Sequence, residues 1–194
     1  MKRFVTVVDM QRDFVASDGA LPVAGAERLI DPMQAWLATL DPAAVAGVLF
    51  TADTHVPDIY ASSQEATEFP LHCERGTPGW ALVVDPMALD GEIPRYGLEK
   101  SVFDMWAEPE VTIERLDAPG SAARDDFFAE LRDGGVTDAT VVGVAADYCV
   151  RWAVEGLVAR GFHVTVPAEL TLGIARQIDT VAAAEWTGAD VTIA

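Results

Sequence analysis

Cys149 follows the apolar, β-branched stretch Thr140 to Val144 and opens a helical pattern running from Asp147 to Arg160. The unpaired N–H groups and dipole of a helix start favour an anion, so this placement is expected to lower the thiol pKa and make the sulfur a nucleophile. The same backbone amides suit the oxyanion of a tetrahedral intermediate. The competing reading is an inert, small apolar residue, which is what most buried cysteines are. Asp9 ends a second apolar run, Phe4 to Val8, at a strand end where function could sit, and the competing reading is a turn or helix-capping carboxylate. Lys100 is one of two lysines, with Lys2, among 13 Lys and Arg residues. A chain that otherwise uses arginine for positive charge retains here a compact ammonium that can be tuned beside a thiolate. The alternative is an ordinary solvated lysine.

Another group of residues suits a cation. Asp53-Thr54-His55 leaves the apolar run Val45 to Thr51, and His72 follows in a long loop, so two of the three histidines lie near one carboxylate. Two histidines and a carboxylate with open positions suit Zn²⁺, Mn²⁺ or Fe²⁺, and satisfied polar loop residues are the alternative. His163, inside an apolar strand pattern, reads as structural.

These residues need a scaffold that gathers strand ends. Phe4 to Val8, Val45 to Thr51, Thr140 to Val144, Phe162 to Val166 and Val191 to Ile193 read as buried parallel strands, with Ile93 to Tyr96 a weaker sixth. Leu29, Ile30, Met33, Leu37 and Leu40 share a helical face, with Asp31-Pro32 as cap and first-turn proline. Phe127, Phe128 and Leu131 mark a second helix. Val150, Ala153, Val154, Leu157 and Val158 mark a third, closed by Gly161. Strands alternating with helices predict an α/β fold in three layers: a mostly parallel, six-stranded, Rossmann-like sheet with helices on both faces. In such sheets ligands bind beyond the carboxyl ends of the strands, where Asp9, Asp53 and the Ala145 to Cys149 turn lie. The segments Thr54 to Asp90 and Leu98 to Arg124 are too long for plain connections and read as functional loops. No linker divides the chain, so residues 1–194 are expected to form a single domain.

Composition narrows the function. The chain has 194 residues, 51% hydrophobic and 23% charged, with a formal charge of −18 spread along its length. That field repels phosphate backbones and anionic lipid, so nucleic acid and membranes are excluded as expected partners, and a small neutral or cationic molecule is favoured. No apolar run reaches the roughly 18 residues of a membrane helix. Two cysteines, Cys73 and Cys149, fit a reducing, cytoplasmic setting.

Four ordered motifs together resemble the nicotinamidase/pyrazinamidase branch of the isochorismatase-like cysteine hydrolase superfamily. They are Val7-Val8-Asp9-Met10-Gln11-Arg12-Asp13-Phe14, Thr51-Ala52-Asp53-Thr54-His55, Phe69-Pro70-Leu71-His72-Cys73-Glu74-Arg75-Gly76-Thr77-Pro78-Gly79 and, beyond Lys100, Gly143-Val144-Ala145-Ala146-Asp147-Tyr148-Cys149-Val150. The resemblance implies that Asp9, Lys100 and Cys149 form a catalytic triad and that the N–H groups of Ala145 and Cys149 form the oxyanion hole. It implies one divalent metal per chain on Asp53, His55 and His72, and an aromatic pocket of Phe14, Phe69 and Tyr148. A cis peptide at Val144-Ala145, a role in NAD salvage and a homo-oligomer are implied as well. The reaction would be hydrolysis of a small aromatic carboxamide such as nicotinamide.

Three departures stand out: Tyr60 where many relatives have a further histidine, Ser101 to Trp106 after the lysine, and Ala146 for a common threonine. The rival readings are a carbamoyl or aliphatic amidase that does without the metal, a phosphoacceptor domain built on Asp9, Asp53 and Lys100, and a binding protein without activity. Isochorismatases themselves fit less well, because vinyl-ether hydrolysis does without a nucleophilic cysteine.

Overall fold

The computed structural model describes residues 2–194. Its strands and helices alternate as the apolar pattern predicts, and the strands form one nine-stranded sheet, eight of them in the order β5-β4-β3-β2-β1-β6-β7-β9 and the ninth, β8, paired with β6 off that path. The strands are β1 (Arg3–Val8), β2 (Val45–Asp53), β3 (Arg95–Lys100), β4 (Thr112–Arg115), β5 (Ser121–Ala123), β6 (Asp138–Val144), β7 (His163–Val166), β8 (Thr171–Leu172) and β9 (Val191–Ile193). Six of them match the expected strands. The short strands β4, β5 and β8 are additional. β4 and β5 pair antiparallel with β3 and with each other, and β8 runs parallel to β6 beyond β7. Their two to four residues are too few to show a period. The sixth expected strand lies later than Ile93 to Tyr96 and runs to Lys100, so this lysine also closes a strand.

β1 sits between β2 and β6, with parallel neighbours on both sides. A strand covered on both faces buries successive residues, which is why Phe4, Val5, Thr6, Val7 and Val8 are all buried without alternation and all but Thr6 are apolar. On one face Phe4, Leu49, Leu98 and Val141 pack against α4 (Arg124–Asp133), α5 (Cys149–Ala159) and α6 (Ile178–Glu185). On the other face Val5, Val48, Phe50 and Val142 pack with Met33 and Leu37 of α2 (Ile30–Ala38). A 3₁₀ turn, Ala26–Leu29, leads into α2, so Asp31 lies inside its first turn and is not its cap. Two one-turn helices, α1 (Arg12–Val15) and α3 (Pro57–Tyr60), belong to the segments around the strand ends.

The Ser101 to Trp106 stretch, which departs from the family pattern, straps the loop after β3 onto α5. Ser101 donates from both its N–H and its hydroxyl to the Glu108 carboxylate, at 2.7 and 2.6 Å. The buried Arg124 guanidinium donates to the carbonyls of Met105 and Glu108. The Trp106 indole donates to the Trp152 carbonyl and lies between Arg160 and Arg124, with guanidinium carbons 3.7 and 5.4 Å from its ring centre. It rests on Gly156, where a Cβ would collide with the indole. Gly156→Ala is therefore expected to destabilise the fold by about 1–2 kcal/mol, because the overpacking cost exceeds the roughly 1 kcal/mol by which alanine favours a helix. A urea midpoint that rises in this variant would show that Trp106 does not depend on the notch.

Candidate active site

The adjacent strands β3, β2, β1 and β6 end side by side, and each delivers one chemically active residue: Lys100, Asp53, Asp9 and, through the turn after β6, Cys149. Neighbouring strands lie about 4.8 Å apart, so a lysine on β3 is long enough to span β2 and reach the end of β1. The Lys100 ammonium stands 2.8 Å from Asp9 Oδ2, 2.9 Å from Asp53 Oδ1 and 3.6 Å from Cys149 Sγ. Asp9, Lys100 and Cys149 are 0, 3 and 4% exposed, so the three groups predicted from sequence meet in a site with almost no bulk water. Thr51 donates its hydroxyl to Asp9 Oδ1 at 2.6 Å and accepts the Asp9 N–H at 3.2 Å, holding the carboxylate in place. Asp9 adopts a left-handed backbone, φ 47°, which turns the chain out of β1.

Cys149 is the first residue of α5 and Tyr148 caps it, so the sulfur lies at the helix start as expected. The Val144-Ala145 peptide is cis, and the Ala145 carbonyl accepts the N–H groups of Tyr148 and Val150. Asp147 precedes the helix and accepts the N–H groups of Ile174, Ala175 and Arg176. The turn carrying the nucleophile is thereby tied to the chain after β8.

The thiol's electrostatics differ from the sequence expectation. Burial pushes the Cys149 thiol well above its ordinary range; Lys100 opposes this, and Asp9 and Asp53 add to it. A helix start lowers a thiol pKa only where water or net positive charge supports the anion, and here two carboxylates face one ammonium. Burial also raises Asp9 against the pull of Lys100. The resting sulfur is thus a protonated thiol, and Asp9 is a stronger base than an exposed carboxylate. Burial alone would lower Lys100, but Asp53 and Asp9 hold it well above the ordinary lysine range, so it stays charged.

Asp53 is shared between two sites. Oδ1 takes the Lys100 bond, and Oδ2 faces a buried cluster with His55, Glu65 and His72. His72 Nε2 lies 3.2 Å from Glu65 Oε1 and 3.8 Å from Asp53 Oδ2, and His55 Nε2 lies 3.6 Å from Glu65 Oε1. Asp53 Oδ2, His55 Nε2, Glu65 Oε1 and His72 Nε2 have no hydrogen-bond partner among the described residues. Bonds of 2.0–2.1 Å in a tetrahedron set ligand atoms about 3.3 Å apart, and four orphaned buried donors at nearly that spacing fit a divalent cation. Without one, burial lowers His72, but Asp53 and Glu65 outweigh it and raise the imidazole to about 9. Burial holds His55 at about 4. The His72 Nδ1 pairs with the Pro70 carbonyl at 2.8 Å, leaving Nε2 to face the cluster.

Tyr60 does not replace a ligand. Its hydroxyl lies 3.0 Å from the carbonyls of Phe69 and Pro70, and burial raises its phenol to about 12, so it remains a donor. Glu65, in the 3₁₀ turn Glu65–Thr67, supplies the fourth cluster atom instead. Within Ser62-Ser63-Gln64-Glu65-Ala66-Thr67 it looks like a solvated loop residue, and only the loop's length hinted at a role. His163 lies outside the site, paired with Asp190 at 2.6 Å.

Phe14 packs on His72 at 5.1 Å between ring centres, while Phe69 and Tyr148 meet edge to face at 5.5 Å. Phe103, which sequence reasoning did not single out, joins them. It lies 5.5 Å from Phe69, 5.2 Å from Tyr148 and 6.3 Å from His72, to which it is nearly parallel. These rings run from the cation cluster to the residue before the nucleophile.

A doubly wound α/β sheet with a buried thiol, ammonium and carboxylate at adjoining strand ends defines the class of protein. The Isochorismatase domain family model matches residues 4–192, and the chain belongs to that family. It is 28% identical to the nicotinamidase/pyrazinamidase of Mycobacterium tuberculosis over 98% of this chain and 97% of that protein. It also resembles the crystal structure of the Pyrococcus horikoshii pyrazinamidase in complex with zinc, with a TM-score of 0.74 and 26% identity, covering 100% and 99% of the two chains. A Bacillus subtilis nicotinamidase/pyrazinamidase structure shares the fold at a TM-score of 0.75 and 19% identity, covering 100% of both chains. Among the described residues no helix is long and apolar enough to cross a membrane.

Proposed function

We propose that this amidohydrolase cleaves a small, flat aromatic carboxamide of the nicotinamide class to the acid and ammonia through a thioester on Cys149. The carrying observation is the contact of one ammonium with both carboxylates and the sulfur, directly beside the Asp53, His55, Glu65, His72 cluster. Relatives named for nicotinamide and pyrazinamide hydrolysis support the substrate class.

In this reading Asp9 takes the thiol proton as Cys149 Sγ attacks the carboxamide carbon. The raised basicity of Asp9 favours that transfer, and Lys100 stabilises the thiolate as it forms. The oxyanion is held by the N–H groups of Ala145 and Cys149. Asp9 returns the proton to the departing nitrogen, releasing ammonia, and then activates the water that hydrolyses the thioester. Phe14, Phe69, Phe103 and Tyr148 supply the aromatic surface against which the flat ring would pack. Asp53, His55, Glu65 and His72 would hold the divalent metal, which would supply Lewis acidity toward a ring nitrogen of the substrate. Residues 1–194 act as a single domain, and the two free cysteines support a reducing, cytoplasmic setting.

The test is ammonia release from nicotinamide, pyrazinamide, a carbamoyl amide and an aliphatic amide, with and without chelator. Turnover of the two heteroaromatic amides, lost on chelation and restored by Zn²⁺ or Mn²⁺, is expected. Preference for the carbamoyl or aliphatic amide with indifference to chelator would overturn this reading. His72→Ala is expected to lower metal content from about one ion per chain to a small fraction, read by elemental analysis. Full occupancy in that variant would remove His72 from the ligand set.

A further inference from the structure

β1 leaves the sheet at Val8, but its neighbour β2 continues to Asp53. The backbone of Asp53 would therefore lose its partner on the β1 side, in a place where it is fully buried. The side chain of Gln11 takes over that position. Its Oε1 accepts the Asp53 N–H at 2.7 Å, and its Nε2 donates to the Asp53 carbonyl at 2.8 Å and to the Trp80 carbonyl at 2.8 Å. A primary amide presents the same donor and acceptor as a peptide unit, so Gln11 extends the ladder by one residue after the strand has ended.

Two residues on, Asp13 performs a matching task on the other side of the cation cluster. Its Oδ2 accepts the Cys73 N–H at 2.7 Å, and its Oδ1 accepts the Ala20 N–H at 3.1 Å. Cys73 follows His72 directly and has a left-handed backbone, φ 45°, a conformation a non-glycine residue keeps only where its surroundings impose it. The Cys73 carbonyl in turn accepts the His55 N–H at 3.1 Å. Gly79 lies against the Asp13 carboxylate, where a Cβ would collide with it. One short segment beginning at Asp9 thus grips the backbones on which Asp53, His55 and His72 are mounted.

We infer that Gln11 and Asp13 are the positioning residues of the cation site, setting its affinity by fixing the backbones of its ligands without touching the cation. The inference rests on the reading that this cluster binds a divalent metal. Outer hydrogen bonds of this kind change metal affinity by about 10–100-fold, because the ligands must otherwise be ordered at the moment of binding.

The test compares wild type with Gln11→Met, which keeps the length and loses the hydrogen bonds, and with Asp13→Ala. Val181→Ala, in α6 away from the site, is the destabilised control. Zn²⁺ affinity is measured by competition with a chromophoric chelator, alongside hydrogen exchange of the Asp53 amide in the metal-free protein. Both clamp variants are expected to bind Zn²⁺ at least about 10-fold more weakly than wild type and the control. In Gln11→Met the Asp53 amide is expected to exchange at least about 10-fold faster, since that N–H has lost its acceptor. Affinities within twofold of wild type, or an equal loss in Val181→Ala, would overturn the inference. Wild type that binds no Zn²⁺ while the Asp53 amide still responds to Gln11→Met would sink the metal reading and leave the clamp standing. An unchanged amide would remove the clamp itself.

Discussion

Replacing Cys149 by alanine is expected to reduce ammonia release by at least about 10⁴-fold, since no second group in the site can form the acyl intermediate and loss of a nucleophile removes the route itself. Cys73→Ala is expected to keep most of the activity. Both sulfurs are buried and both thiols are held above their ordinary range, so pKa does not tell them apart. Geometry does. Cys149 Sγ is 3.6 Å from Lys100 and stands at the first residue of α5. Cys73 belongs to the apolar cluster on the α2 face and offers the site its backbone only. Measuring kcat/KM for both variants, with circular dichroism to confirm folding, decides the matter. Activity that survives in Cys149→Ala and vanishes in Cys73→Ala would mean the wrong thiol has been assigned.

The second large effect belongs to Lys100. Lys100→Met leaves Asp9 and Asp53 facing each other across a dry site, and removing one partner from a buried ionic network costs about 3–5 kcal/mol. For a chain of this size that corresponds to a fall in Tm of roughly 10 °C. The contribution of Asp53 to the pH dependence should change sign. In wild type, burial raises Asp53 but Lys100 and the cluster histidines outweigh it and bring the carboxyl down to about 2. A folded pKa below the unfolded 3.8 contributes stability that is complete above about pH 4 and is lost as pH falls toward 2. Without the ammonium, burial and mutual repulsion raise the pair. A carboxyl raised above its unfolded value favours the fold at low pH and loses that contribution as pH rises. The Tm difference between metal-free wild type and Lys100→Met is therefore expected to be larger at pH 7 than at pH 4.5. A difference that is constant, or that shrinks toward neutrality, would show that Lys100 does not hold the two charges together.

Much of the architecture could be read from local pattern. Apolar runs such as Phe4 to Val8 and Thr140 to Val144 lack alternation because both faces are covered, and that identifies a buried parallel strand without knowledge of its neighbours. The helical spacing of Val150, Ala153, Val154 and Leu157 marks the face that packs on the sheet. β4, β5 and β8 escaped notice because their pairing, and not their own two to four residues, makes them strands. Lys100 was conspicuous by rarity alone, and its place at the end of β3 emerged only with the register that sets it opposite Asp53.

The chain's own letters determined which groups are present: a thiol at a helix start, carboxylates at strand ends, a retained lysine, two histidines near an aspartate. Side-chain type and spacing act over a few residues, so these are properties of single segments. Only the tertiary structure decided how the groups meet. Strand order brings four segments, spread from residue 9 to residue 149, to one rim, and a charge's behaviour depends on which neighbours share its burial. That is why Cys149 is a protonated thiol despite its helix start, why Glu65 turns inward from a polar loop, and why Gln11 serves as a rung of the sheet. Each outcome is set by partners distant in sequence, whose contacts leave no mark in the local pattern of either one.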